Sequence, residues 1–286
     1  MARRRERGTT VFVLGAGKLG SALARALRRA GVRTTLRGAR KALPRAIDAD
    51  LVVLAVRDRD LRPLAEKLVG VVARRAAVVH VAGALGAEPL APLRGACAGV
   101  GQMHPMISFA STGFAPGLAR GNVHVQGDAV AVARARRVAR RLGMTPRTIR
   151  DLDTVAYHAA AGLVANGAAA LAAVGAELLV RGGVPREAAP RMLGPLLRSV
   201  ADNVEKLGFP DALTGPVRRG DVAGLDKHLA TLRAKLPEAV SLYLAAAEAQ
   251  LPLARAIGDA PRESFEEMAR VIAEAKAGVA RARLDP

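Results

Sequence analysis

Gly15, Gly17 and Gly20 stand in the string TVFVLGAGKLGSALARAL, between an apolar run and a stretch with helical Ala/Leu spacing. This is G-x-G-x-x-G in the context where it binds a dinucleotide. Gly15 allows a tight turn, Gly17 lets pyrophosphate approach the backbone, and Gly20 lets the helix pack closely on the sheet. The helix start adds free N–H groups and a partial positive charge. Gly15, Ala16, Gly17, Lys18, Leu19 and Gly20 are therefore expected to cradle phosphates, the plainer reading being a tight βα turn. A third strand ending LAVRDRDL brings Ala55 and Val56 to the same place, since open α/β sheets bind ligands at the carboxyl ends of their strands. Asp58 or Asp60 is expected to cap the following helix.

The second strand selects the cofactor. An NAD site places a carboxylate at that strand's end to hold the ribose hydroxyls. Here the chain reads TTLRGARK, with no acid and with Arg37, Arg40 and Lys41 in its place. Three cations suit the 2′-phosphate of NADP; a generic basic surface is the alternative.

Transfer of a hydride also needs an acid or base for the substrate heteroatom, and histidine titrates nearest neutrality. There are 5 histidines. His158 opens an apolar helix that also carries Asn166. At 100° per residue the two lie about 80° apart and roughly 12 Å along the axis, so they bracket an elongated substrate rather than share one hydrogen bond. A helix-end histidine and an asparagine satisfied among packed helices is the structural alternative. His104, in QMHPMISF, follows a strand, and Pro105 fixes the loop at its carboxyl edge, which makes His104 and Ser108 candidates to face substrate. HPM is similar to a tripeptide of prephenate dehydrogenases. His80 sits inside a strand and fits the core, while His124 and His228 read as structural or exposed. Thr214 and Arg219, in LTGPVRRGD, suit a grip on a substrate carboxylate, although Gly-Pro and an Asp221 cap explain the turn by themselves.

The elements that must position these groups follow from patterning. Strands are expected at Thr10–Leu14, Arg33–Arg37, Leu51–Val56, Ala77–Val81, Ala98–Met103 and Asn122–Gln126, with helices at Lys18–Arg29, Asp60–Leu68 and Ala129–Leu142. Such alternation gives a mostly parallel, doubly wound Rossmann sheet covered on both faces. From Asp151 onward the spacing is helical throughout, with helices expected over 151–181, 186–207, 222–234, 236–257 and 262–282. The expectation is an α/β domain over 1–150 and an all-α domain over 151–286, with the active cleft between them.

Composition excludes several classes. With 286 residues and 51% hydrophobic content, the chain can bury two cores, built from Ala, Val and Leu because aromatics are only 2%. One cysteine, Cys97 in RGACAGVG, rules out an internal disulfide and a zinc–cysteine site; it reads as a buried structural thiol, and no metal is expected. The net charge of +19 would permit contact with nucleic acid. Stacking aromatics are missing, however, and the arginines are scattered apart from Arg134, Arg136, Arg137, Arg140 and Arg141, so a solvated basic face is expected and no specific nucleic-acid partner. MARRRERGTT followed by VFVLGAG imitates a signal peptide, but Lys18 breaks the run. Residues 159–180 have membrane-span length, yet Asn166 and Glu177 interrupt them, and a buried helix of a soluble, cytoplasmic protein is expected instead.

Several segments together resemble one family. The glycine loop, HVAG (80–83), HPMISF (104–109), YHAAAGLVAN (157–166) and ALTGPVRRGD (212–221) are similar to Rossmann-like proteins carrying a C-terminal domain of unknown function 2520. The resemblance implies a nucleotide-binding domain followed by a helical one, laid out as in 6-phosphogluconate dehydrogenase relatives, and a homodimer through the helical domain. It implies an oxidoreductase and brings no substrate. The chain departs from the pattern at Ala82, where the family often has Ser. Related β-hydroxyacid dehydrogenases carry Lys four residues before an Asn; if Asn166 is that Asn, the lysine position holds Gly162. The expectation is thus an NADP-dependent oxidoreductase acting on a small carboxylate-bearing carbonyl or imine, with His158 or His104 as proton donor. Asn166, Ser108, Thr214 and Arg219 would orient substrate. A non-catalytic NADP-binding protein is the alternative.

Overall fold

The structure is a computed structural model that describes residues 9–114 and 116–284. The charged run 1–8, which gives the N-terminus its leader-like look, lies outside them. The elements run β1 (Thr10–Leu14), α1 (Lys18–Arg29), β2 (Arg33–Arg37), β3 (Leu51–Leu54), α2 (Leu61–Leu68), β4 (Ala77–His80), β5 (Gly99–Pro105), β6 (Asn122–Gly127), α3 (Ala129–Arg141) and β7 (Thr145–Arg147). Helices α4 (Thr154–Arg181), α5 (Ala189–Leu207), α6 (Val222–Lys235), α7 (Val240–Ile257) and α8 (Arg262–Leu284) follow. They form two compact units, residues 1–165 and 166–286. The division falls inside α4 rather than near residue 150, because the first turns of α4 are tied to the sheet's unit through Thr154 Oγ1, which donates to Ala84 O at 3.0 Å.

The first unit is the doubly wound α/β fold expected. Its seven strands lie in the order β2-β1-β3-β4-β5-β6-β7. Strands β2, β1, β3, β4 and β5 pair in parallel, β6 runs antiparallel to β5, and β7 runs parallel to β6. Leu51, Val52, Val53 and Leu54 are each 0% exposed, as a central parallel strand requires when helices cover both faces. Each such side chain contributes about 1.5–3 kcal/mol by leaving water. One face packs Val11, Val13, Val53 and Val79 against α1 and α3; the other packs Leu14, Val52, Leu54 and Val78 against α2 and the turn around Leu90. Strand β7 was not expected: it has three residues, one of them Pro146, and occupies the sheet edge where a missing N–H is tolerated. Asp60 corrects another expectation, because it stands at the start of α2 without a side-chain cap hydrogen bond.

In the second unit α6, α7 and α8 enclose a core of Leu225, Leu229, Leu244, Phe265, Met268 and neighbours, against which Val174 and Leu178 of α4 pack. Asp221 caps α6 as expected, its Oδ1 accepting from Gly224 N at 2.8 Å. The expectation of a buried helix over 159–180 fails: no residue of α4 is fully buried, and among the described residues α4 is the one helix long and apolar enough to cross a membrane by length and composition. In α5 only Ala189 is buried. Leu193, Leu197, Val200, Val204 and Leu207 nevertheless recur at alternating steps of four and three along it, and the last four are exposed. An amphipathic helix with its apolar stripe in water lacks a partner surface.

Candidate functional site

The glycine loop sits where the strand order reverses. The chain leaves β1 for β2 on one side and returns to β3 on the other, opening a crevice between the carboxyl ends of β1 and β3. Gly15 takes φ +119°, open to glycine and strained for other residues; its N donates to Arg37 O at 2.8 Å, and a Cβ there would collide with Ala55 O. A Cβ on Gly20 would overlap Gly15 O and press on Ala55 Cβ. Gly17 differs: a Cβ would meet nothing within 4 Å. The free space above Gly17 faces the start of α1, whose first turn has no acid and whose cap makes no side-chain hydrogen bond. Unclaimed helix N–H groups beside an open glycine fit a pyrophosphate.

Beyond β2 the cations divide their work. Arg37 donates from Nε to Ala42 O at 2.8 Å, and from Nη2 to the same oxygen, so it staples the 38–42 loop. Arg40 and Lys41 line a groove of about 590 Å³, joined by Lys67 from α2 and by Val56, Leu64 and Asp60. Lys67 was missed in the sequence because it lies two elements away. A larger groove, of about 680 Å³, runs along α3 between Arg136, Arg137, Arg140 and Arg141, away from these motifs.

A second constellation forms at the ends of β4, β5 and β6. Register aligns His80 with Gln102, His104 with His124, and Gln102 with Gln126, so these five polar side chains share one sheet face. Asp153 caps α4 above them, accepting from Val155 N at 2.9 Å and Ala156 N at 3.0 Å, which sets Tyr157 and His158 onto the patch. Tyr157 Oη lies 3.2 Å from His104 Nδ1. The His104 ring stands 5.5 Å from that of Tyr157 and 5.7 Å from that of His158, both edge to face. His104 Nε2 and His158 Nδ1 converge above Gly83: a Cβ there would stand 2.9 Å from the first and closer still to the second.

The buried members bond one another, except that His124 Nε2 is buried without a hydrogen-bond partner among the described residues. Gln102 Nε2 donates to Ala82 O at 2.7 Å and to Gly83 O at 3.3 Å, while its Oε1 accepts from Gln126 Nε2 at 2.9 Å and from His124 Nδ1 at 3.1 Å. His80 accepts from Ala82 N at Nδ1 and donates from Nε2 to Gly86 O, so it is the core histidine expected. Burial, with like charge on His158, His124 and His80, pushes His104 down to about 4. Burial also pushes His80 and His124 below the ordinary imidazole value and Tyr157 above the ordinary phenol value.

His104 and His158 are thus brought together in the first unit, and Ser108 lies exposed in the loop after β5. Asn166, Thr214 and Arg219 belong to the second unit, where all three are exposed. Its Arg218 is structural, bound to Asp259 at 2.6 Å and to the Leu213 carbonyl at 2.9 Å. Cys97 is half-buried, and burial pushes its thiol up. His228 bonds Tyr243 Oη at 2.8 Å on the surface. Sequence reasoning missed Tyr157, Gln102 and His124; the one signal was the adjacency of Tyr157 to His158. Among the described residues no three His, Cys, Asp or Glu side chains are grouped to hold a metal ion.

The sheet order, the glycine crevice and the helical second unit define a Rossmann-type fold of the kind found in NADP oxidoreductases. A Bacteroides fragilis protein described provisionally as an NADP oxidoreductase matches at 23% identity over 85% of this chain and 98% of its own, with a TM-score of 0.66. Pyrroline carboxylate reductase of Plasmodium falciparum, solved with NADP bound, matches at 14% identity over 94% and 97%, with a TM-score of 0.59. An imine reductase from Pseudomonas sp. matches at 18% over 92% and 99%, with a TM-score of 0.54. At such identities the likeness is one of fold. Residues 122–250 match the family described as Domain of unknown function (DUF2520). The match begins at β6 and so includes α3 and β7 as well as the helices. No curated protein matches the chain.

Proposed function

We propose that the protein is an NADP-dependent oxidoreductase that passes a hydride to or from a small carboxylate-bearing carbonyl or imine. The observation that carries this reading is the convergence of His104 Nε2 and His158 Nδ1 above Gly83, on the carboxyl side of the sheet that bears the glycine crevice. Residues 15–20 with Ala55 and Val56 would hold the dinucleotide, and Arg40, Lys41 and Lys67 its 2′-phosphate. The bound cofactor supplies or accepts the hydride. The two imidazoles hold the substrate heteroatom and move its proton, which leaves a ring nitrogen as the C=O or C=N bond is reduced and returns in the reverse direction. Ser108, in the same unit, is assigned to orient substrate.

Titration with NADPH and with NADH, followed by nicotinamide fluorescence in this Trp-free chain, tests the cofactor, and a screen of keto acids and imines tests turnover. Selective NADPH binding with turnover is expected. Failure to bind either nucleotide overturns the reading. Tight binding without turnover, and no effect of His104→Ala or His158→Ala, establishes instead a non-catalytic NADP-binding protein, a reading favoured by glycine at position 162 where related dehydrogenases carry lysine.

The uncovered stripe of α5 supports a homodimer. Leu197, Val200, Val204 and Leu207 form a heptad seam suited to an identical seam, and a helix with Arg198, Asp202, Glu205 and Lys206 between those positions suits protein rather than lipid.

A further inference from the structure

We propose that Tyr157 is a positioning residue that holds His104 as its Nε2-protonated tautomer. His104 then offers substrate a fixed N–H, and His158 is the imidazole that gives up or takes the proton. The assignment of roles rests on the oxidoreductase reading; the tautomer does not.

Hydrogen-bond direction through the patch fixes the proton positions. Carbonyl oxygens only accept, so the contacts with Ala82 O and Gly83 O orient the Gln102 amide, nitrogen toward the β4 loop and oxygen toward β6. That oxygen only accepts, so His124 presents Nδ1–H to it. His80 is consumed at both nitrogens. Among the described residues the Tyr157 hydroxyl has one hydrogen-bond partner, His104 Nδ1. A phenol is a stronger acid than a neutral imidazole N–H, and an imidazole nitrogen lone pair is a stronger base than a phenol oxygen, so the O–H donates. Nδ1 of His104 is then an acceptor and its proton sits on Nε2, the atom above Gly83 beside His158 Nδ1.

Charge keeps the ring in that state. His104 faces Tyr157 and His158 from α4, His124 from β6 and His80 from β4, with no carboxylate among the groups acting on it. Burial and three imidazole neighbours hold it neutral near pH 7, where an imidazolium on His104 would have to form beside them. A neutral N–H polarises a carbonyl or imine without itself supplying the proton. His158, exposed at the start of α4, reaches the same point and exchanges with solvent. The division is one of labour: a desolvated ring held in one tautomer, and a ring open to solvent.

Long-range 1H–15N spectra of the 15N-labelled protein read this directly, each imidazole being assigned by its own His→Gln variant. His104 is expected to show a protonated Nε2 and an unprotonated Nδ1 from pH 6 to 8. In Tyr157→Phe, losing one hydrogen bond should shift the tautomer ratio by about fivefold toward Nδ1–H. Wild-type His104 found as Nδ1–H, or as imidazolium at pH 7, overturns the proposal, as does an unchanged ratio in Tyr157→Phe. Should that variant not fold, incorporation of 3-fluorotyrosine at Tyr157 and Tyr243 keeps the shape and strengthens the donor. The His104 Nδ1 resonance must then move, and a fixed resonance also refutes the assignment. The spectra need no cofactor, so failure of NADPH binding with the expected tautomer defeats only the oxidoreductase reading, whereas NADPH turnover with the wrong tautomer defeats only this one.

Discussion

Replacing Gly17 with alanine should separate what the glycine loop does for folding from what it does for a ligand. Gly17 has φ −74° and ψ −170°, backbone that any residue adopts, and a Cβ there would have no neighbour within 4 Å. Alanine at a helix N-cap is about 0.5–1 kcal/mol worse than glycine, while the loss of unfolded-state freedom returns about 0.4–1 kcal/mol. The two nearly cancel, so stability should stay within about 0.5 kcal/mol of wild type, or roughly 2 °C in Tm for a chain of this size. The new methyl group stands in the space assigned to pyrophosphate. Displacing one charge-assisted backbone hydrogen bond costs about 1.5–3 kcal/mol, a loss of roughly 10- to 100-fold in NADPH affinity.

Gly15→Ala and Gly20→Ala supply the contrast. Each places a Cβ onto backbone, against Ala55 O or Gly15 O, and Gly15 adds an unfavourable φ. Overpacking and backbone strain each cost about 1–3 kcal/mol, so both variants should lose several degrees or fail to fold. Thermal melts and nicotinamide fluorescence titrations on the three variants make the test. A Gly17→Ala protein that binds NADPH as wild type does would refute the cradle and leave the motif as a tight turn.

Three further outcomes follow from the geometry. Arg40→Ala, Lys41→Ala and Lys67→Ala should each weaken NADPH by about 1–2 kcal/mol and leave NADH nearly unchanged, whereas Arg37→Ala, which frees the 38–42 loop, should weaken both; paired titrations distinguish these patterns. Because His104 is pushed down to about 4 in the folded protein from 6.5, the unfolded chain binds more protons between those values. Stability is therefore complete above pH 6.5 and falls, by up to about 3 kcal/mol, as pH drops toward 4. Urea unfolding of wild type and His104→Gln across that range should show a shallower slope in the variant, the remainder coming from His80 and His124, whose buried rings are also held below the ordinary value. Val200→Glu, placed in the α5 stripe, should convert a dimer to a monomer in sedimentation velocity while leaving the NADPH affinity of the first unit within about threefold.

The parts legible in the sequence were those with local causes. The glycine motif, the strand starting at Leu51 and the Asp221 cap each depend on residues within one turn of themselves, and all three stand where expected, although the strand ends at Leu54 rather than Val56. Strand β7 escaped because three residues with a central proline carry no periodicity; it exists only because β6 offers an open edge. The groove cation Lys67 escaped because α2 meets the 38–42 loop only in three dimensions. For α4 and α5 the sequence carried enough apolar residues for burial, but not the information that one copy of the chain leaves them uncovered.

The imidazole patch shows the same limit more sharply. His124 was set aside as structural, and by itself it is: a histidine on a strand with one buried hydrogen bond. Its effect appears only through the antiparallel register that sets it opposite His104, and a one-residue slip would have turned it to the α1 and α3 face. Four of the five histidines meet in this unit, in a chain whose cores are built almost wholly from aliphatic side chains. An aliphatic core of equal volume would fill that face without the cost of burying polar rings. Polar groups bought at that cost and arranged so that every buried donor of Gln102 has an acceptor argue that the face is shaped around His104 and His158, whose Nε2 and Nδ1 converge above Gly83.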